Sequence, residues 1–187
     1  MNLPNKLTLS RLGLTVIFVG CFSLEAVHRF TAALVVFLIA TVTDYLDGAL
    51  ARKRGLVTDF GKLMDPLADK ILTSSAFICL SGLGAIPAWA VIVIISREFL
   101  ITGLRALAAA KGVVLPAERL GKHKTAWQMI TIIYFLTLLA LREWLTPVWW
   151  NAACEAGAVG LVAMTVLLTV YSGAAYLVKN RGLLETI

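Results

Sequence analysis

Six apolar stretches, at about 7–24, 30–51, 63–84, 86–108, 125–141 and 156–178, take up most of a chain of 187 residues. Several approach or exceed the roughly 20 residues with which a helix crosses a bilayer. Backbone amides and carbonyls in hydrocarbon must be satisfied within the chain, so runs of this kind fold as helices. The composition agrees, with 59% of residues hydrophobic against about 45–50% in a soluble domain. The chain is read as an all-α integral membrane protein with six transmembrane helices. It forms a single membrane-embedded domain over 1–187, with a short N-terminal amphipathic segment at about 1–11.

Charge falls between the spans. A net charge of +6 would suggest nucleic acid as a partner of a soluble chain, but here the basic residues cluster between apolar runs and report topology. With the N-terminus inside, the outer loops hold only Arg29 and Arg142. The inner side receives Lys6, Arg11, Arg52, Lys53, Arg54, Lys111, Arg119, Lys122, Lys124, Lys179 and Arg181, so both termini are expected in the cytoplasm. Lys6 and Arg11 before "LGLTVIFVGCF" imitate a signal peptide, yet "SLEAV" lacks the small-x-small cleavage pattern. The first run is kept as a helix. Gly82, Gly84 and Pro87 mark a tight turn between the third and fourth runs. Cys21, Cys79 and Cys154 are odd in number and lack metal spacing, and are read as free packing residues.

The stretch "DYLDGALARKRGLVTDFGKLMDPLADK" puts four aspartates where the chain meets the membrane. A carboxylate there is costly and as a rule functional. Asp44, Asp47, Gly48 and Ala51 share one helical stripe by their i, i+3, i+4, i+7 spacing, and Asp65 and Asp69 share another. Four carboxylates in one small volume repel unless some are protonated or cations sit among them. All-oxygen ligands suit Mg²⁺, Mn²⁺ or Ca²⁺, and a pair of such ions serves phosphoryl chemistry. Gly48, Ala51 and Gly61 leave room for a ligand, and Arg52 offers a fork of donors suited to a diphosphate. The bland alternative is that the aspartates cap helices or pair with Arg52, Lys53, Lys62 and Lys70. Asp65 before Pro66 looks like a cap, and Asp59 like a loop charge.

The pattern D-x2-D-G-x2-A-R-x8-G-x3-D-x3-D, met by Asp44, Asp47, Gly48, Ala51, Arg52, Gly61, Asp65 and Asp69, resembles the signature of the CDP-alcohol phosphotransferase family. The resemblance implies that family's six-helix membrane fold and a transfer of a phosphatidyl or related group from a CDP-linked donor to an alcohol, releasing CMP. It implies two divalent cations, Mg²⁺ or Mn²⁺, on Asp44, Asp47, Asp65 and Asp69, with Asp69 also the catalytic general base. Gly48, Ala51, Arg52 and Gly61 would shape the CDP pocket. It also implies a homodimer in the cytoplasmic (inner) membrane, with the active site on the cytoplasmic side.

The acceptor is read from other residues. "SREFLITGLR" places Arg97, Glu98 and Arg105 on the fourth run, and "GKHKTAWQM" places Lys122, Lys124 and Thr125 where the fifth begins. Three or four cations beside a metal site favour an acceptor that carries its own phosphate, and a helix start with lysines is an anion site. The bland readings are that Lys122 and Lys124 are topological charges and that Arg97 is neutralised by Glu98 or an aspartate. His123 is read as an exposed loop residue, His28 as lying on the opposite side, and Trp149 and Trp150 as an interfacial belt. The combination R-E-F-x5-R with G-K-x-K-T, and the opening "LPNKLTLSRLGL", resemble the family's bacterial phosphatidylglycerophosphate synthases. That implies CDP-diacylglycerol and sn-glycerol 3-phosphate as substrates, with Asn5 and Thr8 bordering the nucleotide.

Other acceptors remain open within the family, such as inositol phosphate, or phosphatidylglycerol as in cardiolipin synthase. A membrane prenyltransferase also uses aspartates and Mg²⁺ but has no need of the G-x2-A-R segment. A divalent-cation transporter would place its ligands near the midplane, often in paired repeats, and no repeat is visible here.

Overall fold

The computed structural model describes residues 3–54, 59–113, 119–145 and 151–184, with only the backbone described at 3–8, 44–54, 59–66, 69, 119–120, 151–153 and 183–184. Among the described residues every regular element is helical: α1 (Leu3–Ser23), α2 (Arg29–Arg54), α3 (Asp59–Gly82), α4 (Ala88–Ala110), α5 (Arg119–Trp144), α6 (Asn151–Lys179) and the short α7 (Arg181–Leu184). The six long helices coincide with the six apolar runs. The helix over Leu3–Ser23 is continuous through the stretch expected to be a separate amphipathic segment. Gly84 at φ +71° and Pro87 as the N-cap of α4 make the expected turn.

The chain divides into two compact units, Met1–Gly82 with Ile132–Val148, and Leu83–Thr131 with Trp149–Ile187. In the first, α1 packs on both α2 and α3. Its inward stripe is Arg11, Thr15, Phe18 and Phe22 at helical spacing. The Phe18 ring lies 5.8 Å from that of Phe37 on α2, and the Phe22 ring 5.6 Å from that of Phe30. Ala33 and Ala40 flank Phe37 on the same face of α2, all fully buried. Arg11, expected as a topological charge, is buried in this stripe.

The start of α2 lacks a local cap, and a distant residue supplies one. The Glu143 carboxylate accepts hydrogen bonds from the amides of Phe30 at 2.7 Å and Thr31 at 2.9 Å, and from Thr31 Oγ1 at 2.7 Å. Those amides have no partner inside the helix, and the negative charge meets the positive end of its dipole. Trp144 Nε1 donates to Thr31 Oγ1 at 3.0 Å, and its ring stacks on His28 at 4.0 Å. His28 holds a left-handed φ of +61°, a conformation that costs a non-glycine residue about 1 kcal/mol. The stacked ring and the cap beside it offset that cost.

In the second unit α4 packs on α6. Ile101, Ala108 and Tyr176 form its core with Leu104, Val113 and Leu177 against them. Gly112, at φ +76°, ends α4; its amide bonds to Ala109 O at 3.0 Å and that of Val113 to Ala108 O at 2.9 Å. This is a glycine-terminated helix end whose following residue, Val113, folds back onto the core.

Beside its apolar core, this unit buries hydroxyls and exposes large apolar side chains. On α6 the buried positions include Thr165, Thr169 and Ser172, while Val159, Leu167, Val170 and Val178 are exposed. On α4 Trp89, Ile92, Phe99, Leu100 and Leu107 are exposed. Apolar outside and polar inside suits hydrocarbon as solvent, where hydroxyls hydrogen-bond between helices. Among the described residues Gly121–Trp144 and Cys154–Lys179 are long and apolar enough to cross a membrane, whereas the apolar parts of α1 to α3 (Leu9–Ser23, Arg29–Thr43, Lys70–Gly82) are shorter. In α4 the apolar sequence is interrupted by Arg97, Glu98 and Arg105. At a coarser level, the helices over Gly121–Trp144 and Cys154–Lys179 are those of a membrane protein.

Because a charged acceptor holds three hydrogen bonds at the start of α2, Glu143→Ala should destabilise the protein by about 2–3 kcal/mol. Thermal unfolding in detergent measures this, with the exposed neighbour changed as Arg142→Ala expected to shift little.

Candidate active site

The backbone places the signature as its spacing required. Helix α2 continues unbroken to Arg54, so Asp44, Asp47, Gly48 and Ala51 occupy one stripe near its end. Helix α3 begins at Asp59, so Asp65 and Asp69 lie one turn apart inside it. Two expectations change here. Asp59 opens a helix and is not in a loop, and Asp65 is well inside α3, where it cannot act as an N-cap. The side chains of Asp44, Asp47, Gly48, Ala51, Arg52, Gly61, Asp65 and Asp69, and those of Asn5 and Thr8, lie outside the described residues. Among the described residues no other group of three or more His, Cys, Asp or Glu is placed to hold a metal. The expected donor set, the four signature aspartates, has its side chains outside the described residues; carboxylate oxygens are donors of the kind that suits hard divalent cations.

The second unit contains a buried cluster of cations. Arg97 and Glu98, adjacent on α4, have side chains 14% exposed, and Lys124 on α5 is 3% exposed. The Lys124 ammonium donates to Glu98 Oε1. Arg97 Nη1 lies 3.4 Å from the same oxygen, and its Nη2 donates to Ser172 Oγ on α6 at 3.2 Å. Ser172 Oγ in turn donates to Thr169 O at 3.1 Å. Three helices thus converge on two cations and one carboxylate.

Glycine makes the approach of Arg97 possible. A Cβ on Gly173 would stand 3.1 Å from Arg97 Cγ, near the root of that side chain. Small residues permit close helix contacts, and at Gly173 the contact is within the chain. Behind the cluster runs a polar seam. Lys124, Gln128 and Thr131 share one face of α5, and Thr131 Oγ1 meets Thr165 Oγ1 at 2.7 Å. Thr169 Oγ1 returns its hydrogen to Thr165 O at 2.6 Å.

Hydrogen-bond donors outnumber acceptors in this seam. Arg97 Nε and Gln128 Nε2 are buried with no partner. A buried donor left unpaired costs about 1–3 kcal/mol. Both unpaired atoms are donors, the kind of group an oxygen-rich anion satisfies.

Of the five residues expected to bind an acceptor's phosphate, the structure brings Arg97 and Lys124 together through Glu98. Arg105 and Lys122 are exposed and take no part in the hydrogen bonds of this cluster. The Thr125 hydroxyl donates to Gly121 O at 3.0 Å, on its own helix. The bland reading of Arg97, neutralised by Glu98, is therefore half right, since that carboxylate is shared with Lys124. His123 is exposed as expected, though on α5 and not in a loop. Trp149 and Trp150 lie outside the described residues. Gln128 went unrecognised; the available signal was its i+4 spacing from Lys124 within "KTAWQ".

Two helices bearing the aspartate signature and a buried basic seat define a class, and comparison with known proteins identifies it. Residues 1–171 match the CDP-alcohol phosphatidyltransferase family, and the chain belongs to that family. A CDP-diacylglycerol–glycerol-3-phosphate 3-phosphatidyltransferase of Bacillus subtilis (strain 168) is 42% identical, over 99% of this chain and 98% of its own length. A probable phosphatidylglycerophosphate synthase of Mycobacterium tuberculosis (strain CDC 1551 / Oshkosh) is 37% identical over 95% of this chain and 81% of its own. A CDP-diacylglycerol–glycerol-3-phosphate 3-phosphatidyltransferase of Mycoplasma pneumoniae is 38% identical over 76% and 71%.

Two glycines of α6 give a direct check on the packing around Arg97. A Cβ added at Gly160 would have nothing within 4 Å, so Gly160→Ala should gain helix propensity and stabilise by up to about 1 kcal/mol. Gly173→Ala gains the same propensity but crowds Arg97 Cγ. Its unfolding temperature should fall clearly below that of Gly160→Ala, and equal shifts would show that Arg97 does not pack against this backbone.

Proposed function

We propose that this protein transfers the phosphatidyl group of CDP-diacylglycerol to sn-glycerol 3-phosphate, giving phosphatidylglycerophosphate and CMP in phospholipid biosynthesis. The observation that carries the acceptor is the buried pairing of Arg97 and Lys124, with unpartnered donors on Arg97 and Gln128. The names of the relatives support the same reading. An acceptor with no anionic group, such as choline, would leave those buried cations without use. The family match runs across both units, and we take them as one catalytic domain. We place it in the cytoplasmic membrane with six spans, both termini and the active site on the cytoplasmic side, and a second copy as its partner.

Asp44, Asp47, Asp65 and Asp69 would hold two divalent cations, Mg²⁺ or Mn²⁺. When bound, such ions neutralise a diphosphate and make CMP a better leaving group. Arg52, with the small positions Gly48, Ala51 and Gly61 and with Asn5 and Thr8, would receive the CDP moiety. Arg97 and Lys124 hold the acceptor's phosphate, aided by Arg105, Lys122 and Thr125 at the exposed side. Asp69 takes the proton of the acceptor's primary hydroxyl as its oxygen bonds to the donor's β-phosphorus. The bond from that phosphorus to the bridging oxygen breaks, and CMP leaves with the electron pair. Positioning and charge neutralisation contribute most of the rate.

Purified protein supplied with CDP-diacylglycerol and Mg²⁺ or Mn²⁺ should release CMP with glycerol 3-phosphate, lose activity on chelation, and regain it on adding back either ion. Inositol phosphate, phosphatidylglycerol and serine run in parallel distinguish the acceptors, and CMP release with inositol phosphate alone would overturn the assignment. Asp69→Asn should lower kcat by about 10²–10⁴-fold if it is the base. Full turnover by that variant would remove it from the role.

A further inference from the structure

Glu98 has no role in the reaction just described, and its charge opposes that of the phosphate the seat is to receive. An anion inside an anion site calls for a reason. We propose that Glu98 is a positioning residue for the acceptor: its carboxylate, set between Lys124 and Arg97, holds these cations side by side in the arrangement that receives a phosphomonoester. This rests on the acceptor reading above.

The geometry separates this role from that of a simple placeholder. Glu98 engages both cations through one oxygen, Oε1, which accepts from Lys124 Nζ and from Arg97 Nη1. Arg97 keeps Nη2 on Ser172, and its Nε stays buried and unpartnered. Gln128 Nε2, one turn along α5 from Lys124, is likewise buried and unpartnered. An oxyanion that reached this seat would find those two donors without a partner, and would not have to evict the carboxylate to use them.

The physical need for Glu98 follows from burial. Lys124 is 3% exposed, and its ammonium sits at the end of a flexible four-carbon stem. Two buried cations would repel each other once the carboxylate between them is removed. The cheaper outcome is for the lysine stem to swing away, which takes one donor out of the seat. Extra net positive charge would strengthen anion binding only if both cations stayed in place. Glu98 keeps them there.

The full chain, reconstituted in lipid nanodiscs, tests this through separate KM values for the two substrates. Glu98→Gln should raise the KM for glycerol 3-phosphate about tenfold or more and leave that for CDP-diacylglycerol within about twofold. Glu98→Asp, which keeps the charge on a shorter stem, should fall between. Glu98→Gln should add little in a Lys124→Ala background, because the residue whose placement it governs is already gone. An unchanged acceptor KM overturns the proposal, and so does a lowered one, which would make Glu98 a competitor of the phosphate. Equal rises in both KM values would reduce it to a general structural ion pair. Should Glu98→Gln not fold, Glu98→Asp decides alone, an unaltered acceptor KM again overturning the role. A wild-type enzyme that uses a different phosphomonoester overturns the acceptor named above, and the same comparison on that acceptor then decides the role of Glu98.

Discussion

The shared hydrogen bonding of Lys124 and Arg97 to Glu98 is the constraint around which the second unit is arranged. Charges buried in a low-dielectric interior must be paired and hydrogen-bonded or they destabilise the fold. Here three helices meet that requirement. Helix α4 supplies a cation and the carboxylate, α5 the second cation, and α6 the hydroxyl of Ser172 and the bare backbone of Gly173. Each of these residues is explained by the one beside it. The arrangement also leaves two buried donors unpartnered, which is a poor way to stabilise a helix bundle and a good way to bind an oxyanion.

A carboxylate performs the corresponding task in the first unit. Glu143 closes the start of α2 by accepting two backbone amides and the Thr31 hydroxyl. The two acids differ in what they hold. Glu143 satisfies donors that any helix leaves open, and its partners account for its place fully. Glu98 holds side chains whose own positions have no structural necessity, and this difference is why it is assigned a role in substrate binding. The outward apolar faces of α4 and α6 are the background to both, since in lipid the polar groups turn inward and find one another.

The helices were legible in the chain because the constraint behind them is strong: a lipid-embedded backbone has to satisfy its own hydrogen bonds, and the six apolar runs mark where it does. The helical phase of Asp44, Asp47, Gly48 and Ala51 was legible for the same reason, and the alternative reading of Asp65 as a cap drew on the bias of the residue before a proline away from helix. Pro66 is nevertheless inside α3, beyond its first turn, where it has no N–H to give to the carbonyl four residues back. Arg97 stood out as a charge within an apolar run, and Lys124 as one where another begins. What did not show was pairing across long separations. Glu143 with Thr31, Lys124 with Glu98, and Arg97 with Ser172 and Gly173 join residues that no local pattern relates. Exposure was equally hidden, as Arg105 and Lys122 look no different in sequence from the cations that are buried.

If the buried cation pair selects the acceptor, the enzyme must discriminate on the acceptor's phosphate. The most direct measurement is kcat/KM for glycerol 3-phosphate against glycerol, which offers the same hydroxyl without the phosphate, using purified protein and CDP-diacylglycerol. A site whose buried donors go unpaired with the wrong substrate discriminates by about 10⁴-fold or more. The expected result is a preference of that order for glycerol 3-phosphate, narrowed sharply by Lys124→Ala. Turnover of glycerol within about tenfold of glycerol 3-phosphate would contradict it.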